Sequence, residues 1–304
     1  MKKTVAVLIL SFFLVQFSFA NRELKDITFV QRDSALKMDV YLPKNVNPNT
    51  PCVIFVFGGG FLAGDKSVEG NVKFCQTMSD NGFVTVAINY RLGLKGVKNI
   101  GPTNVKPLKN AIRMAVEDLY SATVFLRDNS KKYSIDPNRI IVCGSSAGAI
   151  TVLQADYELA NRNEIASVLP DDFRYAGVIS FAGAVLSFEG KPDYKKHAPA
   201  PTMFFHGTDD KVVFYNKMQV FCMGLFGTNA LVKRFEKFDY PYYAYRYRDM
   251  GHEIADVPMK ANLTEILTFI NDYVMEKRPL KIDVTVKDDE LKPYMKLKSH
   301  KDLY

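Results

Sequence analysis

Apolar residues recur along the chain with two periods, one typical of strands and one typical of helices. Leu36, Met38, Val40 and Leu42 alternate with polar residues, which predicts a half-buried strand that ends at Pro43. Short, continuous apolar runs predict further strands, buried on both faces. The remaining predicted strands cover residues 53–57, 83–89, 140–143, 177–181, 202–205 and 242–247.

Between these strands, apolar residues three and four positions apart predict helices. The predicted helices cover residues 71–80, 111–129, 214–226 and 258–276. Residues 93–110, rich in Gly, Pro, Asn and Lys, predict a long surface loop, and Asp136-Pro137 predicts a turn. Strands that alternate with helices indicate the α/β class, with a mostly parallel central sheet and helices on both faces. The early alternating strand suits an antiparallel edge of that sheet.

The first 20 residues have the pattern of a signal peptide. Lys2 and Lys3 precede an apolar run from Val5 to Phe19, and small residues stand at Ser18 and Ala20. A membrane anchor is the alternative, but the run is about 15 residues and a span needs about 20. We therefore predict a signal peptide at 1–20, an α/β domain at 21–279 and a C-terminal extension at 280–304. The mature protein is expected to be exported, either periplasmic or secreted.

Composition and charge bear on two kinds of partner, nucleic acids and metal ions. The formal charge of +7 falls to about +5 without Lys2 and Lys3, and much of that excess lies in the C-terminal tail. Charge this diffuse does not indicate nucleic-acid binding. The four cysteines, Cys52, Cys75, Cys143 and Cys222, fit no metal motif and lie in apolar patterns. They are interpreted as buried thiols, although export also permits disulfides.

A nucleophile motif follows one of the buried strands. Gly144-Ser145-Ser146-Ala147-Gly148 has the form G-x-S-x-G and lies between the strand at 140–143 and a helical pattern. This context predicts a nucleophile elbow, a sharp turn that holds a serine hydroxyl above the sheet. Residues 161–175 follow the elbow helix and are interpreted as a small insertion over the site.

A nucleophilic serine needs a base and a carboxylate that orients it. His252 lies in the last strand-to-helix loop, at the sheet edge where ligands bind in such folds. Asp209 and Asp210 both lie in the loop after the strand at 202–205, and the residues alone leave either as the acid. The order serine, aspartate, histidine is that of an α/β-hydrolase triad.

The oxyanion of an acyl-transfer reaction needs N–H donors that are already in place. One is expected from Ala147, which follows the nucleophile, and the others from the glycine triplet Gly58-Gly59-Gly60. The triplet is not followed by Gly-Lys-Ser/Thr, which argues against a nucleotide phosphate loop. Phe61, beside the triplet, is predicted to line the acyl pocket, whereas the tyrosines of residues 240–247 are interpreted as strand packing.

Taken together, the motifs resemble those of the hormone-sensitive-lipase-like esterases, a group with the α/β-hydrolase fold, and are close to those of exported bacterial carbohydrate esterases. The matching segments are residues 57–61, 88–93, 136–140, 144–148, 206–210 and 251–252. The resemblance implies Ser146 rather than Ser145 as nucleophile and Asp210 as acid.

The same resemblance implies that His206 is structural and that Gly58 and Gly59 are the oxyanion donors, rather than Gly60. The group usually has histidine before the glycine triplet, and this chain has Phe57, so the loop must be braced differently.

The predicted function is that of a serine carboxylic-ester hydrolase acting through an acyl-enzyme, with no metal or organic cofactor. The expected substrates are acetyl or feruloyl esters of plant polysaccharide, or small esters. A general short-chain esterase or lipase and a serine peptidase of the same fold are the enzymatic alternatives, and a non-catalytic binding protein is a third class. The acyl and alcohol specificity and the oligomeric state do not follow from the sequence.

Overall fold

A nine-stranded sheet runs through the molecule and sets the position of every loop discussed below. The structure, a computed structural model, describes residues 22–98, 101 and 104–295. The predicted signal peptide therefore lies outside the described residues. The strands are β1 (Glu23–Gln31), β2 (Ala35–Tyr41), β3 (Thr50–Val56), β4 (Val84–Ile88), β5 (Ile135–Ser145), β6 (Gly177–Phe181), β7 (Ala184–Ser187), β8 (Thr202–Gly207), β9 (Lys217–Val220), β10 (Met223–Gly227), β11 (Tyr242–Tyr247) and β12 (Lys281–Val286).

The large sheet has the order β1-β2-β4-β3-β5-β6-β8-β11-β12. Strands β1 and β2 pair antiparallel, as do β2 and β4, and all the other pairs are parallel. The central strands are apolar because both of their faces are covered: Ile54, Val142 and Val178 lie in register and are fully buried. The predicted antiparallel strand at 36–42 is β2, but it lies second from the edge, since β1 pairs outside it.

Helices flank this sheet, as the alternating pattern predicts. They are α1 (Glu69–Asp80), α2 (Lys106–Asp128), α3 (Ser130–Tyr133), α4 (Ala147–Asn161), α5 (Thr228–Lys237), α6 (Val257–Ala261) and α7 (Leu263–Phe269), with 3-10 helices at Glu164–Val168 and His252–Ala255 and a π-helix at Ile270–Met275. Helix α4 packs against β5 and β6 and also against α2. Its start, directly after β5, fixes where the elbow lies.

Three sequence predictions need correction. Helix α2 begins at Lys106, inside the predicted loop 93–110, with a proline in its first turn, where proline is tolerated. The predicted turn Asp136-Pro137 lies within β5, where the register against β3 shifts and the N–H of Asn138 bonds the Asp136 carboxylate. The single helix predicted at 258–276 is divided into α6, α7 and the π-helix.

The helix predicted at 214–226 is wrong. These residues form a hairpin of β9 and β10, which joins β7 in a separate three-stranded antiparallel sheet of order β7-β10-β9. The apolar residues of this stretch satisfy helical spacing as well as alternation, and short apolar runs do not distinguish the two periods. Cys222 lies in the hairpin turn and is exposed, whereas Cys52, Cys75 and Cys143 are buried, and all four thiols are free.

The beginning of the predicted C-terminal extension completes the sheet. Strand β12 pairs in parallel with β11, and the Arg246 guanidinium forms two hydrogen bonds to the Asp283 carboxylate, at 2.5 and 2.8 Å. Residues 281–286 therefore form an edge strand of the large sheet. The domain division at 279 stays a prediction. In the part of the chain that the structure describes, no helix is long and apolar enough to cross a bilayer.

A buried ion pair anchors the segment that follows the glycine triplet. The ammonium of Lys66 lies 2.7 Å from the Asp39 carboxylate on β2, and the two residues are 4% and 2% exposed. We predict that Lys66→Met lowers the free energy of unfolding by about 3 kcal/mol, because it leaves the Asp39 charge buried with a missing partner. Urea denaturation measures this change. The control Lys195→Met, in the exposed pair with Glu189, is expected to cost under about 1 kcal/mol; equal effects would contradict the prediction.

The free energy of unfolding of the protein is predicted to depend on pH through Asp156, which lies on helix α4. Burial raises the pKa of this carboxyl to about 7, and its hydrogen-bond donor is the Ala200 N–H. Because the folded pKa exceeds the unfolded value of about 3.9, the folded protein loses stability as the pH rises from about 4 to 7, by up to about 4 kcal/mol from this group.

Asp156→Asn removes this titration. The variant is expected to be less stable than the wild type at pH 5, and the difference in unfolding free energy should shrink or reverse at pH 8. A difference that is the same at both pH values would refute the assignment.

Candidate active site

Ser146 lies at a strained turn between β5 and α4. Its φ of 51° and ψ of −116° are unusual for a residue with a side chain. The flanking glycines allow the strand and helix to pass closely, since a Cβ on Gly148 would lie 2.0 Å from the Val56 carbonyl oxygen. A Cβ on Gly144 would likewise lie 2.3 Å from the carbonyl oxygen of Gly148. The predicted nucleophile elbow therefore has the geometry that its sequence indicates.

The structure brings Ser146, His252 and Asp210 together in one hydrogen-bonded chain. Ser146 Oγ lies 2.7 Å from His252 Nε2, and His252 Nδ1 lies 2.7 Å from Asp210 Oδ2. Asp210 follows β8, and His252 opens the 3-10 helix after β11, so all three meet at the carboxyl edge of the parallel strands. Ser146 is 9% exposed, which makes it the most accessible of these three residues.

Asp210 is held as a carboxylate. Burial favours its neutral form, but hydrogen bonds with His206 and His252 outweigh burial and hold the pKa of Asp210 well below its usual range. Its other oxygen accepts the N–H groups of Val212 and Val213 at 2.9 and 3.0 Å. A carboxylate only accepts, so His252 Nδ1 carries a proton and Nε2 is free to accept the Ser146 hydroxyl. Asp209, the alternative acid, is exposed.

His206 lies behind the acid and does not reach Ser146. It is fully buried, with Nδ1 2.9 Å from Thr228 Oγ1 and Nε2 2.9 Å from the Val213 carbonyl oxygen. Since that carbonyl only accepts, Nε2 carries the proton. The same Nε2 atom lies 3.3 Å from Asp210 Oδ2. This contact pattern is that of a structural residue that braces the Asp210 loop.

The glycine triplet packs directly against the elbow. A Cβ on Gly58 would lie 3.2 Å from the Ser146 Cβ, and Gly59 has a φ of 117°, which favours glycine. Ala147 is the first residue of α4, so its N–H has no acceptor within the helix. Gly58 and Ala147 thus lie next to Ser146, and Gly59 follows Gly58 in the loop. The role of Gly58, Gly59 and Ala147 as oxyanion donors stays a prediction. Gly60, which we did not favour as a donor, lines the neighbouring cavity.

Phe57 supplies the different bracing that the sequence requires. Its ring stacks on Tyr90 with centroids 4.5 Å apart, and the Tyr90 hydroxyl donates to the Phe57 carbonyl oxygen at 3.0 Å. Tyr90 follows β4, the strand beside β3, so two parallel strands hold the start of the glycine loop. An aromatic pair therefore occupies the place where the resembling group has histidine.

An apolar cavity of about 90 Å³ opens beside Ser146. Phe61 lines it, together with Ala147 and Ile150 of α4 and residues of all three strands of the smaller sheet. The predicted role of Phe61 in an acyl pocket stays a prediction. Neither residues 161–175 nor the tyrosines of β11 are among the lining residues that the structure describes, so the interpretation of 161–175 as a cover over the site is not supported. The hairpin at 217–227 covers the cavity instead, and sequence reasoning missed it because it assigned that stretch to a helix.

Ser145, set aside as a nucleophile, has a different contact. Its hydroxyl donates to the Ala255 carbonyl oxygen at 2.7 Å, at the end of the 3-10 helix that His252 begins. This bond ties the elbow to the segment that carries the histidine. No sequence signal identifies it, because its acceptor is a backbone group 110 residues away. Among the described residues, no cluster of three or more His, Cys, Asp or Glu is placed to hold a metal ion.

Part of the chain is similar in sequence to known esterases. The protein-family model BD-FAE matches residues 38–185, just under half of the chain. Gut esterase 1 of Caenorhabditis briggsae is 30% identical over 122 residues, which are 40% of this chain and 21% of that protein. Fumonisin B1 esterase of Sphingopyxis macrogoltabida is 31% identical over 123 residues, 38% of this chain and 22% of that protein. The chain thus spans about a fifth of the length of these relatives.

Solved structures resemble the chain over most of its length. A thermophilic esterase of Thermogutta terrifontis matches with a TM-score of 0.58 at 19% identity, over 84% of this chain and 92% of that one. Esterase B of Lactobacillus rhamnosis, inhibited by a tributyrin phosphonate, matches with a TM-score of 0.59 at 16% identity, over 84% and 86%. The chain therefore has the α/β-hydrolase fold, and the predicted fold class is confirmed.

The Ser145 bond yields a test of positioning. We predict that Ser145→Ala slows covalent modification of Ser146 by a p-nitrophenyl phosphonate roughly tenfold, because the segment bearing His252 loses a buried hydrogen bond. Ser145→Cys, which retains a weak donor, should recover part of the rate. The matched control is Ser180→Ala on β6, whose buried hydroxyl has no partner among the described residues. Equal rates in the two alanine variants would contradict a positioning role.

Proposed function

We propose that the protein is a serine carboxylic-ester hydrolase that acts through an acyl-enzyme. The observation that carries the proposal is the chain of two 2.7 Å contacts from Asp210 through His252 to Ser146, which ends at an apolar cavity. A serine hydroxyl aligned with a neutral imidazole, itself oriented by a carboxylate, is the arrangement that activates serine for attack on a carbonyl.

The steps of ester hydrolysis follow from which atoms of Ser146 and His252 carry protons. Ser146 Oγ attacks the ester carbonyl carbon while its proton passes to His252 Nε2, and the negative charge of Asp210 stabilises the imidazolium. The ester C–O bond then breaks, and the imidazolium returns the proton to the departing alcohol. Water attacks the acyl-serine by the reverse route, which releases the acid and restores the Ser146 hydroxyl. Gly58, Gly59 and Ala147 are proposed to donate to the carbonyl oxygen as it gains charge.

The relatives support the reaction class. Proteins named gut esterase 1 and Fumonisin B1 esterase share about 30% identity with part of the chain, and the fold is that of solved esterases. The motifs that carry the resemblance surround Ser146, His252 and Asp210 themselves.

For the substrate, we propose acetyl or feruloyl esters of plant polysaccharide, or small esters, encountered after export to the periplasm or the medium. The match of residues 38–185 to the BD-FAE model and the signal-peptide pattern support this choice. The cavity has no charged residue among the lining residues described, which suits an uncharged acyl group. No feature of the site favours the peptidase alternative.

The proposal predicts release of p-nitrophenol from p-nitrophenyl acetate and butyrate, and of acetate or ferulate from xylan. Ser146→Ala is expected to lower kcat/KM for the p-nitrophenyl esters at least about a thousandfold while leaving the folded state intact, because the nucleophile is removed without breaking the sheet. Circular dichroism and thermal unfolding check the fold.

The outcomes separate the alternatives. Cleavage of short esters without release from xylan would leave a general esterase. Full activity in Ser146→Ala would refute the mechanism. If the folded wild-type protein cleaves peptide substrates but no ester, the serine peptidase is the better hypothesis.

A further inference from the structure

The smaller sheet presents one row of apolar side chains to the cavity beside Ser146. Met218 on β9 pairs with Leu225 on β10, and Leu225 pairs in turn with Leu186 on β7. All three residues line the cavity. Residues opposite one another on neighbouring strands point to the same face, so this row forms one continuous wall.

A second pair lies nearer the hairpin tip. Val220 on β9 pairs with Met223 on β10, and both also line the cavity. Val220 is 43% exposed, so this pair stands where the cavity meets solvent. Lys217 and Gln219 alternate with Met218 and Val220 along β9, and neither is among the described lining residues. Strand β9 thus has an apolar face toward the cavity and a polar face away from it.

The hairpin is held in place at both ends. At the tip, the N–H of Gly190 donates to the Cys222 carbonyl oxygen at 2.6 Å. At the base, the N–H of Gly227 donates to the Asn216 carbonyl oxygen at 2.8 Å, and a Cβ at Gly227 would lie 1.9 Å from the Phe214 carbonyl oxygen. The first contact joins the hairpin tip to the segment after β7, and the others close its base, so the hairpin has a defined place beside the cavity that Ala147 and Ile150 also line.

The space enclosed is small. An apolar cavity of about 150 Å³ accepts a benzene ring, whereas the cavity beside Ser146 measures about 90 Å³. Apart from Ser146, its described lining offers no polar side chain for the hydroxyl or methoxy groups of a substituted aromatic ring. A short saturated chain fits both the volume and the chemistry.

We propose that this cavity is the acyl pocket and that the smaller sheet, through Met218 and Leu225 of the hairpin and Leu186 of β7, sets the acyl length. The substrate class is then esters of short straight-chain aliphatic acids, about acetate to butyrate in size, with the alcohol portion outside the hairpin. Among the substrates of the proposed function, this choice favours acetyl over feruloyl groups. The proposal rests on the proposed function and selects among its substrates.

The test compares acyl-length profiles of the wild type and hairpin variants. With p-nitrophenyl acetate, butyrate, hexanoate and octanoate, wild-type kcat/KM is expected to fall beyond butyrate. Met218→Ala enlarges the pocket and should raise the ratio of hexanoate to acetate kcat/KM roughly tenfold, the lower end of what one or two methylenes contribute in an apolar pocket. Met218→Phe fills the pocket and should lower the ratio of butyrate to acetate by a similar factor.

Two controls make the result specific to the pocket. Lys217→Ala, on the outer face of the same strand, should leave the profile of the wild type unchanged. A second series varies the alcohol, with ethyl, butyl and hexyl acetate, and the Met218 variants should leave this profile unaltered. Changed alcohol preference with unchanged acyl preference would overturn the assignment of the cavity to the acyl group.

The outcomes distinguish this proposal from the proposed function. The acyl-pocket proposal is overturned if both Met218 variants are active and keep the wild-type acyl profile. It is also overturned if the wild type hydrolyses methyl ferulate faster than methyl butyrate. In either case the proposed esterase function still stands. If no ester is hydrolysed, p-nitrophenyl methyl-, butyl- and hexylphosphonates provide the readout, because they modify Ser146 without turnover. A hexyl-to-methyl labelling ratio that rises in Met218→Ala supports the pocket, and an unchanged ratio overturns it.

Discussion

The close approach of strand β5, helix α4 and the end of β3 around Ser146 is the constraint on which the rest of the site depends. Ser146 takes a left-handed conformation there, and glycines at 144 and 148 leave room where any side chain would meet backbone at about 2 Å. Packing of the parallel sheet stabilises this turn, because its central strands are buried on both faces. Strain at one residue is thus offset by burial over many. The hydroxyl is consequently fixed before any substrate arrives.

The polar groups of the site are arranged so that each buried charge has partners. Asp210 receives two backbone N–H groups on one oxygen, while the other faces both His252 and His206. This keeps the carboxylate ionised in a buried place and fixes the imidazole tautomer. Ser145 adds a bond between the elbow and the histidine segment. The geometry of Ser146, His252 and Asp210 therefore belongs to a network that spans β5, β8 and the loop after β11, and the apolar hairpin lies beside that network.

Sequence reasoning predicted the parallel sheet, the elbow and the histidine loop, because each of these leaves a local pattern. The choice of Asp210 over Asp209 came from the family resemblance, since both aspartates lie in the same loop. Continuous apolar runs mark the buried strands, and G-x-S-x-G at a strand end marks the turn. What it missed depends on distant contacts. The stretch 214–226 satisfies both periods, and only its pairing with β7 decides that it is a hairpin. Strand β1 alternates weakly and is fixed by its partner β2, and the acceptor of Ser145 is a carbonyl far along the chain.

The most direct test of the central claim is to look for the acyl group on the protein during turnover. Enzyme mixed with p-nitrophenyl butyrate is quenched in acid within the steady state, digested and analysed by mass spectrometry. The account predicts one butyryl group on the peptide that contains Ser145 and Ser146, with fragmentation placing it on Ser146. Turnover without any acylated peptide, or with the butyryl group on another residue, would contradict the account.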